Sequence, residues 1–247
     1  MSFITSGVAV MSGTGVAALS GTGVAVFSKT YVPPSPPSIP LVAVGFGSGT
    51  YNAMTSPDGI TWTSQTSTDP PIVWKSVTWS GTQFVAVGFG GGTYKVMTSP
   101  DGIAWTGQTT GLSTYWNSVT WSGTQFVIVG MYGAYNVMTS PDGITWTGQT
   151  APGLFRRWNS VAWSGTQFVA VGQHDEYNVM TSPDGITWTL QTSADPDTDW
   201  NSVKWTGTQF VAVGSSGTTY KVMTSPDGIT WTGRTAADPA VNWFSVV

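Results

Sequence analysis

Side chains that could carry out acid–base chemistry are few in this 247-residue chain, and several of them stand together in one short segment. The only histidine, His174, is followed by Asp175 and by Glu176, the single glutamate of the chain. Neighbouring residues of an extended loop point in different directions, so these three side chains cannot form a catalytic pair unaided. A solvated polar loop is the favoured interpretation, and a contribution to ligand binding is the alternative.

A second group of residues has the spacing of a calcium loop. Asp195, Asp197 and Asp199 follow the alternation D-x-D-x-D, which places carboxylates where they could share one cation. Trp200 stands where an EF-hand loop has its glycine, and the loop has no terminal glutamate. An acidic turn is therefore the favoured interpretation, and we predict no bound metal and no cofactor.

The composition excludes several classes of function. The chain has no cysteine, which rules out disulfides, thiolate metal sites and cysteine nucleophiles. Only 8% of the residues are charged, and the net charge of −4 argues against a nucleic-acid-binding face, which needs clustered Lys and Arg. The apolar runs are too short to span a bilayer. The first five residues include no basic side chain and later glycines interrupt the segment, so we expect no secretory signal.

One sequence unit recurs along the chain from Leu41 onward. Its fullest form is W-N-S-V-x-W-S-G-T-Q-F-V-A-V-G, followed after a variable stretch by Y-x-V-M-T-S-P-D-G-I-T-W-T-x-Q-T. All 14 tryptophans occupy one of three positions in this unit. The opening tryptophan returns every 42 or 43 residues, at Trp74, Trp116, Trp158, Trp200 and Trp243. A fixed period of this length is typical of a repeat architecture.

Each unit contains four predicted short strands. In the third unit these strands are 116–121, 125–130, 135–140 and 144–150, and they are separated by S-G-T, by a variable turn and by P-D-G. Tight turns between consecutive strands favour antiparallel pairing, and four such strands in about 40–45 residues make one blade of a β-propeller. The repeat therefore predicts an all-β fold.

The two ends of the repeat predict the number of blades. The unit that begins at Leu41 lacks its W-x-S-V-x-W strand, and residues 243–247 consist of that strand alone. The two fragments add up to one blade, so we predict a five-bladed β-propeller over residues 41–247 that is closed by the C-terminal strand. The structural alternative is an open β-solenoid.

The turn between the third and fourth strands resembles a known motif. Ser56-Pro57-Asp58-Gly59-Ile60-Thr61-Trp62 and its four equivalents are similar to the Asp-box, or BNR repeat, of sialidase-like propellers. Each copy lacks the residue usually found between Asp and Gly, and Ala104 replaces Thr in one copy. In that family the box is structural and lies away from the catalytic face. The resemblance implies the same role for Asp58, Asp101, Asp142, Asp184 and Asp227.

The resemblance to sialidase-like propellers does not imply an activity for this chain. A sialidase needs an arginine triad for the substrate carboxylate, a Tyr–Glu nucleophile pair and an acidic Asp. This chain has three arginines, of which Arg156 and Arg157 are neighbours and Arg234 lies on a predicted fourth strand. Glycoside hydrolysis in general needs two carboxylates at a set separation. We therefore predict that the protein is not an enzyme.

The loops of the predicted ring divide between two faces. The first turn, S-G-T-Q or T-G-T-Q, is the same in every unit that contains it and the third turn, S-P-D-G, is the same in all five units, whereas the second turns and the links between units differ. Variable loops on a rigid scaffold usually carry function, and exposed rings suit neutral sugars; loop drift with rings packed inward is the alternative. The candidate ligand-binding residues are Phe46, Phe89, Tyr115, Tyr132, Phe155, Arg156, Arg157, His174, Asp175 and Glu176.

The first forty residues differ from the repeat. Residues 1–31 form a Gly-, Ser- and Val-rich arm with S-G-T-G octads, and residues 32–40 form a proline-rich linker. The arm buries too little surface to fold alone, so we expect it to anchor the propeller in an assembly; a disordered tail is the alternative. The layout of arm, spacer and displayed ring resembles that of phage fibre and decoration proteins.

Together these features predict a non-enzymatic virion or surface protein that displays a propeller to recognise a glycan or a protein partner. A purely structural capsid or tail decoration protein is the alternative, and a glycan hydrolase is the least favoured. We expect the external surface of a virion as the location, or alternatively an extracellular one. The expected partners are an assembly contacted through residues 1–31, a glycan receptor and further copies of the chain, with no nucleic acid and no membrane span.

Overall fold

The fold is seen in a computed structural model of the chain. The structure describes residues 39–46, 51–68, 72–111, 114–133, 135–152, 156–173, 176–217, 219–238 and 240–246. The predicted arm 1–31 and nearly all of the linker 32–40 lie outside these residues. Within them every regular element is a β-strand, and no helix is long and apolar enough to cross a bilayer.

The strands form five antiparallel sheets, one for each sequence unit. In every sheet, neighbouring strands are consecutive in the chain. This confirms the predicted all-β, five-bladed β-propeller. The blades are blade 1 with β1 (Leu41–Val44), β2 (Tyr51–Ser56) and β3 (Thr63–Thr66); blade 2 with β4 (Ile72–Trp79), β5 (Phe84–Gly90), β6 (Val96–Ser99) and β7 (Thr106–Gln108); blade 3 with β8 (Tyr115–Trp121), β9 (Phe126–Met131), β10 (Val137–Ser140) and β11 (Thr147–Gln149); blade 4 with β12 (Trp158–Trp163), β13 (Phe168–Gly172), β14 (Val179–Ser182) and β15 (Thr189–Gln191); and blade 5 with β16 (Thr198–Trp205), β17 (Phe210–Ser216), β18 (Val222–Ser225) and β19 (Thr232–Arg234).

The first strands of blades 2 to 5 line a common space. Thr78, Thr120, Ala162 and Lys204, which occupy the same position in the repeat, all border one cavity of about 310 Å³. These strands are therefore the inner strands of the propeller. Each of them carries a β-bulge immediately after its opening tryptophan, as between Trp116 and Ser118. A bulge bends a strand and re-aims one side chain.

The core of the propeller lies between blades. Three valines of one blade pack against the tryptophan, phenylalanine and methionine of the next, as Val169, Val171 and Val179 of blade 4 do around Trp200 and Met223 of blade 5. The opening tryptophans of blades 2 to 5 are buried. Each second strand is covered on both faces of its blade, which explains why its sequence is a continuous apolar run.

Hydrogen bonds repeat at the blade junctions as regularly as the apolar contacts. The bulge residue Asn117 donates from Nδ2 to the carbonyl oxygen of Trp158 in the next blade at 2.8 Å, and Asn159 does the same to Trp200 at 2.9 Å. The first-turn glutamine Gln83 donates from Nε2 to the carbonyl oxygen of the box residue Asp142. Such polar contacts fix the register of one blade on the next.

The C-terminal segment follows the same pattern on blade 5. Trp243 donates its N–H to the carbonyl oxygen of Gly214 at 3.1 Å, and its own carbonyl oxygen accepts from Asn201 Nδ2 at 2.9 Å. Val246 N–H donates to Ser202 Oγ at 3.3 Å. Residues 243–246 thus lie where the inner strand of a sixth unit would lie.

Blade 1 has three assigned strands in the described part of the chain, and β1 pairs only with β2. Pairing of residues 243–247 with β1, by which the C-terminal strand would complete blade 1 within one chain, is not among the assigned ladders. Residues 243–246 are hydrogen-bonded to blade 5 in the way that inner strands contact the preceding blade, as Trp74 N–H does at Gly45 and Val119 N–H at Ser76. Closure of the ring by this strand therefore stays a prediction.

Candidate functional site

The uniform face of the propeller carries the five box turns, and their hydrogen bonds are the same in every blade. In blade 3, Asp142 Oδ1 accepts the N–H groups of Ile144 at 2.9 Å and Thr145 at 2.7 Å, and the hydroxyl of Ser140 at 3.0 Å. The Trp146 indole N–H closes the turn on the carbonyl oxygen of Gly143. Each box carboxylate thus accepts backbone N–H groups of its own turn.

These bonds also set the charge state of the box. Backbone N–H groups hold the pKa of each box aspartate below its ordinary value, those of Thr145 and Ile144 doing so for Asp142. The N–H of Thr61, followed by that of Ile60, has the same effect on the pKa of Asp58. A carboxylate that stays ionised and already satisfies its own turn is unsuited to act as a general acid.

The variable face carries a cluster of aromatic side chains, which we call the aromatic cluster: Phe89, Tyr115 and Tyr132. The Phe89 and Tyr115 ring centroids are 5.1 Å apart, and Tyr132 meets Tyr115 edge-on at 5.8 Å with an interplanar angle of 82°. The Tyr132 side chain is 62% exposed. The sequence predicted all three residues, and the structure brings them together where blades 2 and 3 meet.

Local structure positions each ring of the cluster. Phe89 is near the end of β5, and Tyr115 begins β8, where it pairs with Met131. Tyr132 follows β9 and has φ of 63°, a left-handed conformation that is rare for a bulky residue and marks a strained position. A Cβ on the next residue, Gly133, would collide with the buried Thr114, so only glycine fits there.

A cation lies beside the cluster. Lys75 Nζ is 5.4 Å from the centroid of the Phe89 ring, within the range of a cation–π contact. Lys75 was not among the residues predicted from the sequence. It occupies the bulge position of W-x-S, where blades 3 to 5 have asparagine, and that departure from the repeat is the signal that could have identified it.

Other predicted ligand-binding residues lie away from the aromatic cluster. Phe46 is exposed on blade 1, at the position equivalent to Phe89, and borders a different cavity. Arg156 donates from Nη1 to the carbonyl oxygen of Tyr177, which ties its guanidinium to the second turn of its own blade. Arg157 Nε is buried and has no hydrogen-bond partner within the described ranges.

The segment around the only histidine is described in part. Glu176 is exposed at the start of a described range. The predicted ligand-binding residues Phe155, His174 and Asp175 lie outside the described residues.

Of the three spaced aspartates, Asp195 connects the loops of blade 5. Asp195 is buried, and its Oδ2 accepts the N–H groups of Thr219 and Tyr220, each at 3.0 Å. Burial raises the pKa of Asp195, but the N–H groups of Tyr220 and Thr219 outweigh it and the net shift is downward. No group of three metal-ligating side chains occurs in the described part of the chain. Asp195 thus fastens the blade 4–blade 5 link to the second turn of blade 5.

Comparisons with known proteins bear on the fold alone. No family model and no curated protein matches the sequence. Among solved structures, "YCF48 bound to D1 peptide" is 16% identical with a TM-score of 0.57, covering 79% of this chain and 63% of that one. YCF48 from Cyanidioschyzon merolae is 18% identical with a TM-score of 0.48, covering 68% of this chain and 58% of that one. The chain thus spans less than two thirds of either structure.

The first of these likenesses supports the fold seen in the sheets, which define the chain as a β-propeller protein. The Asp-box resemblance rests on the motif residues, since no family model matches.

Proposed function

We propose that this protein is a non-enzymatic recognition propeller that binds its ligand through the aromatic cluster on the variable face. One observation carries the proposal: three aromatic side chains from two blades meet on the face whose loops differ between repeats. Tyr132 is mostly exposed, so its ring is accessible to a ligand. Tyr132 combines an exposed ring with a strained backbone conformation, and this combination is typical of ligand-binding positions.

The chemistry of the cluster fits a glycan. The apolar C–H face of a sugar ring stacks on aromatic side chains, while tyrosine hydroxyls and loop groups hydrogen-bond its hydroxyl groups. Lys75 at the edge of the cluster adds one positive charge, which suits a sugar with an acidic substituent. A protein partner is the second candidate, because one propeller with a similar fold has been solved with a bound peptide.

A binding screen tests this proposal. The intact chain is screened against an array of neutral and acidic oligosaccharides and a peptide library, and the affinity of each hit is measured by calorimetry. We expect Tyr132→Ala and Tyr115→Ala to weaken glycan binding at least tenfold without lowering Tm. Tyr135→Ala is the matched control, since Tyr135 belongs to the same blade and is as exposed as Tyr115 but lies outside the cluster. A chain that binds peptides alone supports the second candidate, and the absence of any hit rejects the aromatic cluster as a binding site.

We also propose a location for the protein. Residues 1–31 anchor the propeller on the external surface of a virion or a comparable surface assembly, and the ring displays the variable face. Purely structural decoration remains the alternative if the aromatic variants lose stability instead of binding. Hydrolysis is disfavoured because the described box carboxylates serve their turns, and a glycan hit should be recovered uncleaved after prolonged incubation.

A further inference from the structure

Blade 1 differs from the other blades in what covers the face that a preceding blade would contact. Each later box glycine lies against a valine of the preceding blade: a Cβ on Gly143 would come within 2.9 Å of Val85 Cγ2, and one on Gly185 equally close to Val127 Cγ2. The equivalent Gly59 meets only Leu41 of its own blade, at 3.4 Å. Within the described residues, blade 1 therefore has no preceding blade against it.

Apolar side chains on this side of blade 1 are exposed as a result. Met54 is 41% exposed, whereas the equivalent Met97 of blade 2 is fully buried. Trp62 is 39% exposed, against 7% for the equivalent Trp105. Leu41 is also exposed, although its equivalents are buried phenylalanines. We call Leu41, Ala43, Met54 and Trp62 the open face of blade 1.

Among the residues that the structure describes, no inner strand lies beside the open face. In blades 2 to 5 the glycine that ends the apolar run lies against the inner strand: a Cβ on Gly88 would collide with the carbonyl oxygen of Val73. At Gly45, the equivalent in blade 1, a Cβ would meet no atom within 4 Å. A cavity of about 190 Å³ lies at this point and is bordered by Gly45, Phe46 and Met54.

The opposite end of the blade array carries the complementary parts. Residues 243–246 are docked on blade 5 as an inner strand. The indole nitrogen of Trp243 is buried without a hydrogen-bond partner in the described residues, as are those of Trp74, Trp116, Trp158 and Trp200, although the Trp243 side chain as a whole is half-buried. Val211 and Val222 of blade 5 are partly exposed, whereas the equivalent valines of blade 4 are fully buried.

We infer that the open face of blade 1 binds the C-terminal end of a second copy of this chain, namely blade 5 with residues 243–246. The contact repeats the junction found between consecutive blades. By the register of β4 on β5, Trp243 of the second copy lies opposite Gly45 and its Val246 opposite Ala43. Gln209 of the second copy then stands where Gln83 stands towards Asp142, and donates to the carbonyl oxygen of Asp58.

The repeated junctions favour a second copy over the same chain. The polar and apolar contacts are the same at the junctions of consecutive blades, so these junctions impose the same placement of one blade on the next. In that placement residues 243–246 and β1 of one chain remain unpaired with each other. Blade 5 with residues 243–246 of a second copy can bind the open face of blade 1 while every junction within each chain keeps its geometry. Two different surfaces meeting in this way make a heterologous, head-to-tail contact.

A cross-linking experiment between separately tagged chains tests the inference, because the native sequence has no cysteine. One chain carries Ala43→Cys and the other Val246→Cys, and the two are mixed under mild oxidation. We expect a disulfide-linked heterodimer. Ile186→Cys, at an exposed box turn of blade 4, is the control that should not cross-link to Val246→Cys. If no heterodimer forms and a chain carrying both Ala43→Cys and Val246→Cys cross-links only within itself, the ring closes in one chain and the inference is wrong.

Mass measurement in solution provides a second test that does not depend on cysteines. We expect association that rises with protein concentration, and Gly45→Ala should weaken it at least tenfold while leaving the Tm of the dilute chain unchanged. Gly91→Ala is the control, since a Cβ there also meets no atom within 4 Å but the residue belongs to the second turn of blade 2 and not to the open face. Loss of association on deleting residues 1–38 would assign it to the arm, and a chain that stays monomeric at every concentration would equally overturn the inference.

Discussion

At the scale of single residues, the box aspartates show how one carboxylate oxygen can organise a turn. Asp142 Oδ1 accepts two backbone N–H groups and a serine hydroxyl. The resemblance to the Asp-box implied a structural role, and Asp side chains commonly bond to the backbone two or three residues ahead. No tertiary information was needed, since every atom involved lies within one short segment.

Removing such a carboxylate should cost stability and leave binding intact. We expect Asp142→Ala to lower the free energy of unfolding by about 1 kcal/mol or somewhat more, because backbone N–H groups lose their acceptor. Chemical denaturation measures the loss, and calorimetry with any ligand of the aromatic cluster should show an unchanged affinity. Asp197→Ala, an exposed aspartate outside the boxes, is the control. Selective loss of ligand binding at unchanged stability would contradict the structural role.

The same aspartates predict how stability changes with pH. Their pKa values are lower in the folded chain than the ordinary value of 3.8, so the unfolded chain binds more protons in acid. The stabilisation is fully present above pH 3.8 and is lost as the pH falls through the folded-state pKa values. Thermal melts between pH 2 and 7 should show this decline, and Asp142→Asn should make it shallower. An unchanged slope in that variant would contradict the prediction.

Two contacts were not predicted because they join side chains of different strands or loops. Asp195 was considered as a calcium ligand, but it bonds to Thr219 and Tyr220 in the next blade. Lys75 reaches Phe89 on the neighbouring strand because the bulge of β4 re-aims its side chain. Local spacing gives no access to such contacts, because they depend on how tightly the links and the second turns pack together.

At the scale of elements, the strands follow the repeat closely but not at their ends. The fourth strand of blade 3 was predicted from Ile144 and begins at Thr147. The two N–H groups that would extend it, those of Ile144 and Thr145, donate to Asp142 instead. The bulges after the opening tryptophans were not predicted, since an extra residue in one strand leaves the alternation pattern ambiguous.

The glycines that end the second strands should be intolerant of side chains where an inner strand is present. A Cβ on Gly130 would collide with the carbonyl oxygen of Tyr115, so Gly130→Ala must displace β8 from β9. We expect a loss of roughly 1–3 kcal/mol in the free energy of unfolding, the range for overpacked sites. Denaturant titration measures it, with Gly45→Ala as the matched control at the equivalent position of blade 1. Equal tolerance at both glycines would mean that the inner strand does not pack as described.

At the scale of the whole molecule, a regular scaffold supports an irregular site. The five blades share their core, yet the aromatic cluster occurs only where blades 2 and 3 meet in the described part of the chain. The regular part was predictable because a repeat of 42 or 43 residues with fixed turns has few possible folds. The contact between the three rings of the aromatic cluster was not predictable, because the sequence assigns them to one face but does not show which loops of that face touch.

The C-terminal segment should contribute to stability even in a single chain. Deleting residues 243–247 removes a half-buried tryptophan from blade 5 and leaves the Gly214 carbonyl oxygen without its partner. We expect Tm to fall by roughly 5 °C or more, since each kcal/mol is worth about 2–4 °C in a domain of this size. Calorimetry measures the shift, and Phe244→Ala, which removes an exposed ring, should leave Tm in place. A truncated chain with the Tm of the intact one would show that the segment is not docked.

The uniformity of the blade junctions has a consequence for how such a chain can evolve. Excising one period, for instance residues 116–157, would remove blade 3 and bring blade 2 against blade 4. The new junction would use the same valines, tryptophans and glutamines as the existing junctions. Unequal recombination between near-identical repeats can therefore lengthen or shorten the array without inventing an interface. The same interchangeability lets a strand mispair with the corresponding strand of another repeat while the chain folds, a hazard that grows with every identical copy.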